Sequence, residues 1–122
     1  MGLKEAEAIE QYGKDKVGIA FQPMSAVDRA ICESEEKGLI KIVYLKKNLK
    51  ILGATIMGPS AGEMICEIGV AMYANLPFDK LSSVTHAYPT YSIALQILAT
   101  DVLYEKTLKS KRLLNAMKRV GL

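Results

Sequence analysis

Apolar and polar positions change period several times along this chain, and each change marks an element. Glu5-Ala6-Glu7-Ala8-Ile9-Glu10 is built of strong helix formers, so Lys4 to Gln11 is expected to be a short helix that Gly13 stops. Val17, Ile19 and Phe21 then alternate with Gly18 and Ala20 in the period of a strand, which Pro23 closes. From Met24 to Glu36 no period dominates, and Asp28-Arg29-Ala30-Ile31 fits a helical turn or an edge strand. Gly38 to Tyr44 and Ile51 to Met57 are rich in β-branched and aliphatic residues and are joined by Lys46-Lys47-Asn48, which predicts an antiparallel hairpin. After Gly58-Pro59, the run Ser60-Ala61-Gly62-Glu63 has the form of a capping box opening a helix to about Ala74, with Ile65, Ile68 and Met72 on one side. Phe78 to Leu81 fits one further helical turn.

Thr90 stands where it would cap a helix through about Glu105. Ile93, Leu95, Ile97, Leu98, Val102, Leu103 and Tyr104 leave that helix only a narrow polar stripe of Gln96, Thr100 and Asp101, so a second apolar surface is expected to cover it. A second copy of the chain is the expected cover, because two-fold dimers are the commonest assembly; a fully buried central helix in a monomer is the other reading. The order helix, strand, hairpin, helices predicts an α+β fold in which an antiparallel sheet is covered by helices on one face.

At 122 residues the chain is one domain long. Half of its residues are hydrophobic, which excludes disorder. No apolar run approaches the ~20 residues of a membrane span, and no signal peptide is legible at Met1 to Glu5, so a cytoplasmic protein without membrane or nucleic-acid partners is expected. Cys32 and Cys66 lie far apart in sequence and are expected to be small core thiols; no metal site is expected.

The charge is segregated. Of 16 basic and 13 acidic residues, six basic and no acidic ones follow from Lys106 onward, so residues 1–105 hold 10 against 13 and come to −3. Leu113, Met117 and Val120 place an apolar stripe beneath those cations, which predicts a basic C-terminal helix over about 106–120, docked on the domain or set against an anionic surface.

Thr85-His86-Ala87-Tyr88-Pro89-Thr90-Tyr91-Ser92 resembles the His-Ala-His-Pro-Thr-x-Ser-Glu segment of the pyridine nucleotide-disulfide oxidoreductases, the group of dihydrolipoamide dehydrogenase and mercuric reductase. Gly2 to Ala8, the hairpin Gly38 to Val43 with Lys50 to Gly58, and Ala61-Gly62-Glu63-Met64-Ile65 resemble, in the same order, parts of that family's C-terminal dimerisation domain. The resemblance implies a single dimerisation domain over 1–122 that lacks the family's first strand. It also implies a homodimer, and a parent enzyme whose other domains bind FAD and NAD(P)H; the chain itself has no Gly-x-Gly-x-x-Gly turn and is expected to bind no cofactor and catalyse nothing alone.

In the family the segment reaches the flavin and redox disulfide of the partner subunit. Carried over, the resemblance makes Tyr88 and His86 candidate catalytic residues, and Tyr88 and Pro89 contacts to the partner's FAD. Tyr88 replaces the usual catalytic histidine, and Ile93 the glutamate that orients it. A phenol is a poor base at neutral pH but a good hydrogen-bond donor. Tyr-Pro-Thr resembles mercuric reductases, whereas Lys118-Arg119-Val120-Gly121-Leu122 lacks their terminal cysteine pair. His86 is the only histidine, open to a catalytic role or to a structural hydrogen bond. The alternative to an interface domain is a stand-alone homodimeric association module without catalytic activity.

Overall fold

The computed structural model describes residues 1–119. Helix α1 (Glu5–Tyr12) leads into strand β1 (Val17–Pro23), a 3-10 turn (Met24–Ala26) and helix α2 (Asp28–Glu33). The hairpin β2 (Leu39–Leu45) and β3 (Ile51–Met57) follows, then α3 (Ala61–Tyr73), a second 3-10 turn (Phe78–Ser83) and α4 (Ile93–Arg119). The sheet is antiparallel in the order β1-β2-β3, with Ala20 opposite Ile42 and Ile42 opposite Ala54, so the fold is α+β. The stretch around Asp28, ambiguous in sequence, is helical.

Helices α3 and α4 and the second 3-10 turn cover one sheet face. Ala20, Ile40, Ile42, Tyr44 and Ile51 meet Met64, Ile68, Phe78, Leu95 and Leu98 there. Each large aliphatic side chain buried in this layer contributes about 1.5–3 kcal/mol relative to exposure. Part of the opposite face is covered as well, by α1, whose Ala8 packs with Val17, Val43 and Leu52. Alternation in β1 survives, but its bulky side is not uniformly inward: Val17 is buried under α1, whereas Ile19 and Phe21 are exposed. Gly18 and Ala20 take the core side because the Tyr44 ring lies over it; a Cβ on Gly18 would come within 2.4 Å of the Tyr44 ring.

Residues ahead of α1 extend the sheet. Met1 and Ala54 exchange hydrogen bonds of 2.9 Å, and Leu3 N–H donates to the Leu52 carbonyl at 2.9 Å, so a short segment lies along β3. Gly53 permits this approach, since a Cβ there would stand 2.1 Å from the Leu3 carbonyl oxygen.

Three local expectations are corrected. Ser60 sits in the left-handed region at φ 56° and makes no capping bond, because a side-chain cap needs an extended N-cap residue. Thr90 does not cap α4: its hydroxyl donates to the Ala87 carbonyl at 2.7 Å, and the helix begins at Ile93, which is its first residue and not its third. Nor does α4 stop near Glu105. No glycine or proline interrupts residues 93–119, and strong helix formers carry the helix to Arg119.

The basic segment is therefore an extension of α4, not a separate docked helix. Leu113 and Met117 are exposed, and Val120 of the expected stripe lies outside the described residues. The cysteines also depart from expectation: Cys32 on α2 and Cys66 on α3 are both exposed, because each helix turns its other side inward, through Ala30 and through Met64, Ile68 and Ala71.

Candidate functional site

Between the second 3-10 turn and α4, residues 84–92 form an irregular loop whose side chains are fixed by two neighbouring helices. His86 looks inward. Its Nδ1 lies 2.9 Å from the Val84 carbonyl oxygen, and its Nε2 lies 2.9 and 3.1 Å from the two carboxylate oxygens of Glu67 on α3. The imidazole is only 6% exposed. Each ring nitrogen therefore has an oxygen partner within hydrogen-bond distance. His86 thus fastens the start of the loop to α3.

Tyr88 looks outward. Two residues further on, it is 68% exposed, and its hydroxyl donates to Asp28 Oδ2 at 2.9 Å. That hydrogen bond, reinforced by the carboxylate's charge, raises the phenol above its usual range, so Tyr88 stays a neutral donor. The Tyr88-Pro89 peptide bond is cis, and Pro89 lines a cleft directly below.

Tyr91 completes the grip on α2. It is buried, and its hydroxyl donates to Glu33 Oε2 at 2.6 Å. The bond to Glu33, then burial, pushes its pKa up to about 12. Glu33 is in turn held below the usual carboxylate range, by Tyr91 first and then by Arg29, whose Nε donates to Glu33 Oε1 at 2.7 Å. Asp28 and Glu33, at the two ends of α2, therefore hold Tyr88 and Tyr91 at the two ends of Tyr-Pro-Thr-Tyr.

Arg29, Glu33, Glu63, Glu67, Pro89 and Tyr91 line an open polar cleft of about 550 Å³. The structure brings Pro89 into its lining, leaves Tyr88 outside it on Asp28, and turns the His86 ring towards Glu67, one of its walls. Sequence reasoning missed Asp28, Glu33, Glu67 and Tyr91. A signal for Glu67 existed, since a lone histidine that is half apolar in context needs two polar partners. None pointed to Asp28 or Glu33, because the period of α2 was unreadable.

The chain matches the profile of "Pyridine nucleotide-disulphide oxidoreductase, dimerisation domain" over residues 1–99. It is 34% identical to a dihydrolipoyl dehydrogenase of Buchnera aphidicola over 110 residues, covering 84% of this chain and 23% of that protein. It is also 34% identical to a dihydrolipoyl dehydrogenase of Geobacillus stearothermophilus over 90 residues, covering 74% of this chain and 19% of the relative. Among solved structures, the Cu(II) complex of the HOCl-induced flavoprotein disulfide reductase RclA from Escherichia coli superposes with a TM-score of 0.75 at 26% identity, covering 81% of this chain and 22% of that one. The chain spans about a fifth of the length of the curated relatives it matches.

Proposed function

The chain belongs to the pyridine nucleotide-disulphide oxidoreductase family through its dimerisation domain, and from that premise we propose that it is the interface domain of a FAD- and NAD(P)H-dependent oxidoreductase, presenting Tyr88 and Pro89 to the flavin side of a partner subunit. The observation that carries this reading is the exposed Tyr88 phenol, held in one place by Asp28 and kept protonated. A tyrosine serving only the core has no reason to stand with its ring in solvent, next to the proline that enters the cleft.

The residues present do not form a flavin site by themselves. FAD needs a cradle for its pyrophosphate, usually backbone N–H groups at a glycine-rich strand-to-helix turn. Neither helix that follows a β-strand, α2 or α3, opens on such a turn, so the chain's share is limited to the surface that faces the cofactor. Within that share, Tyr88 presents a neutral phenol whose proton is held by Asp28, and it does not act as the base of a dithiol reaction. His86 acts from behind, tying the loop to α3 so that Tyr88 and Pro89 keep their position. A neutral phenol at this place argues against the acid-base chemistry of a lipoamide-type dithiol.

Homodimer formation belongs to the same proposal. On α4, Ile97 and Tyr104 are exposed on the side away from Leu95, Leu98 and Val102, which gives a partner an apolar surface.

The test is to purify the native polypeptide that carries residues 1–122 and compare it with its Tyr88→Phe form. Bound flavin, NAD(P)H oxidation and a turnover lowered about tenfold or more by Tyr88→Phe at unchanged flavin content support the reading. A flavin-free dimer without NAD(P)H oxidation overturns it in favour of an association module.

A further inference from the structure

Val102 is the last buried residue of α4; Lys106, Lys109 and Ser110 still face Tyr44, Lys46 and Leu49 across a shallow pocket, and beyond Ser110 the helix leaves the body of the domain. The family profile matches residues 1–99, whereas the helix continues to Arg119. From Leu103 to Arg119 it is about 25 Å long at 1.5 Å per residue. Leu103, Ser110, Leu113, Leu114 and Met117 fall on one side, at i, i+7, i+10, i+11 and i+14. The three leucines and Met117 are exposed, Leu113 by 63%. Lys109, Lys111 and Lys118 flank that stripe, Arg112 and Arg119 lie on the opposite side, and no acidic residue follows Glu105. Lys106 would interrupt the apolar side, but its ammonium is turned onto Asp79 Oδ2 at 3.2 Å.

We propose that this extension of α4 is a peripheral membrane anchor that lies in the headgroup region of an anionic lipid bilayer, with Leu113, Leu114 and Met117 dipping below it. The charge pattern selects this occupant over the others. A second copy of the same helix would bring two all-cationic surfaces together, which costs free energy at every close pair. A nucleic acid would use the cations but has no need of exposed Leu113, Leu114 and Met117, and no aromatic residue follows Tyr104 to stack on bases. An amphipathic helix with a cationic rim and a Leu/Met face matches an interface whose surface is negative and whose interior is apolar. Residues 1–105 carry −3, so attraction to such a surface resides in this helix alone. Among the described residues no helix is long and apolar enough to cross a membrane, so the contact is superficial. It takes up the anionic surface that the sequence leaves open for the basic helix, against the expectation of no membrane partner, and it does not depend on the oxidoreductase reading.

The experiment is co-sedimentation of the 122-residue chain with vesicles of phosphatidylcholine containing about one-third phosphatidylglycerol. The expected result is binding that is lost on pure phosphatidylcholine and falls at least about tenfold in ~1 M NaCl, where the screening length is ~3 Å. Leu113→Ser/Leu114→Ser, which keeps every charge, and Lys109→Gln/Lys111→Gln/Arg112→Gln, which keeps every apolar contact, each weaken binding about tenfold or more. Both variants change exposed side chains only, and an unchanged urea midpoint confirms that the domain is folded. The proposal is overturned by no binding to the anionic vesicles, by binding to pure phosphatidylcholine that ignores salt, or by binding to duplex DNA that Leu113→Ser/Leu114→Ser leaves intact while vesicles are ignored. Conversion of a dimer to monomers by Leu113→Ser/Leu114→Ser, with no vesicle binding, overturns it in favour of a second copy.

Discussion

The two halves of α4 have similar propensity and opposite surroundings. From Ile93 to Val102 the helix spends Ala94, Leu95, Leu98, Ala99 and Val102 on the core; from Leu103 to Arg119 nearly every side chain is in solvent. Packing sustains the first half, whereas the second rests on intrinsic preference and on continuity with the first. The lesson is that an uninterrupted run of helix formers sets where a helix can go, and tertiary contacts set only how much of it is anchored.

The contrast is broken most severely by cutting into the anchored half. Leu95→Ala, at a fully buried position, is expected to lower the free energy of unfolding by about 2–5 kcal/mol, while Leu113→Ala changes it by less than about 0.5 kcal/mol. Urea denaturation followed by circular dichroism measures both, and equal losses would show that the distal half is docked after all. A smaller loss is expected at the boundary. Lys106 is the last residue of α4 bound to the domain by an ion pair, and its partner Asp79 is buried with Oδ1 lacking a hydrogen-bond partner. Lys106→Ala strands that carboxylate at a cost of about 1–3 kcal/mol, whereas Lys109→Ala is neutral in the same urea titration.

The outer side of the first half is probed by assembly. Ile97→Glu is expected to weaken the proposed dimer about tenfold or more at unchanged fold stability, read by sedimentation against protein concentration. If the dimer instead responds to Val70→Glu, the exposed side of α3 is the contact surface, since Val70 is 69% exposed and Tyr73 92%.

The mildest effect belongs to the loop that leads into α4. Tyr91 has its pKa raised from 10.0 to about 12, so the folded state holds the proton more tightly than the unfolded one. Its contribution to stability is complete below pH 10 and is lost as pH rises from 10 towards about 12. Glu33 is shifted the other way, and its contribution fades as pH falls through the acid range. Tyr91→Phe should therefore flatten the alkaline limb of the stability profile, and an alkaline limb unchanged by the substitution contradicts the assignment.

Much of the fold was legible because its signals are local. The β2–β3 hairpin follows from two β-branched runs and a polar turn, and α3 from Ile65, Ile68 and Met72. The α4 extension could have been read from the lack of any helix breaker before Gly121, had the change in charge at Lys106 not suggested a new element. Cap geometry was illegible: Ser60 has the right chemistry and the wrong backbone, and Thr90 turns back to Ala87.

The candidate site was half legible. Tyr88, His86 and Pro89 stand in a recognisable segment. Their partners Asp28 and Glu67 are 60 and 19 residues away, joined to them only by folding. The exposure of Cys32 was unreadable, since a six-residue helix with one buried alanine gives no periodic signal, whereas that of Cys66 could have been read from its place off the Ile65, Ile68 and Met72 side of α3.

Those two thiols, both in solvent and on different helices, give the molecule a built-in ruler. Nitroxides attached at Cys32 beside the Tyr88 loop and at Cys66 on α3 would report separations by pulsed electron resonance without any engineered residue. One set of distances would describe a lone chain, and additional ones would appear as soon as two chains meet.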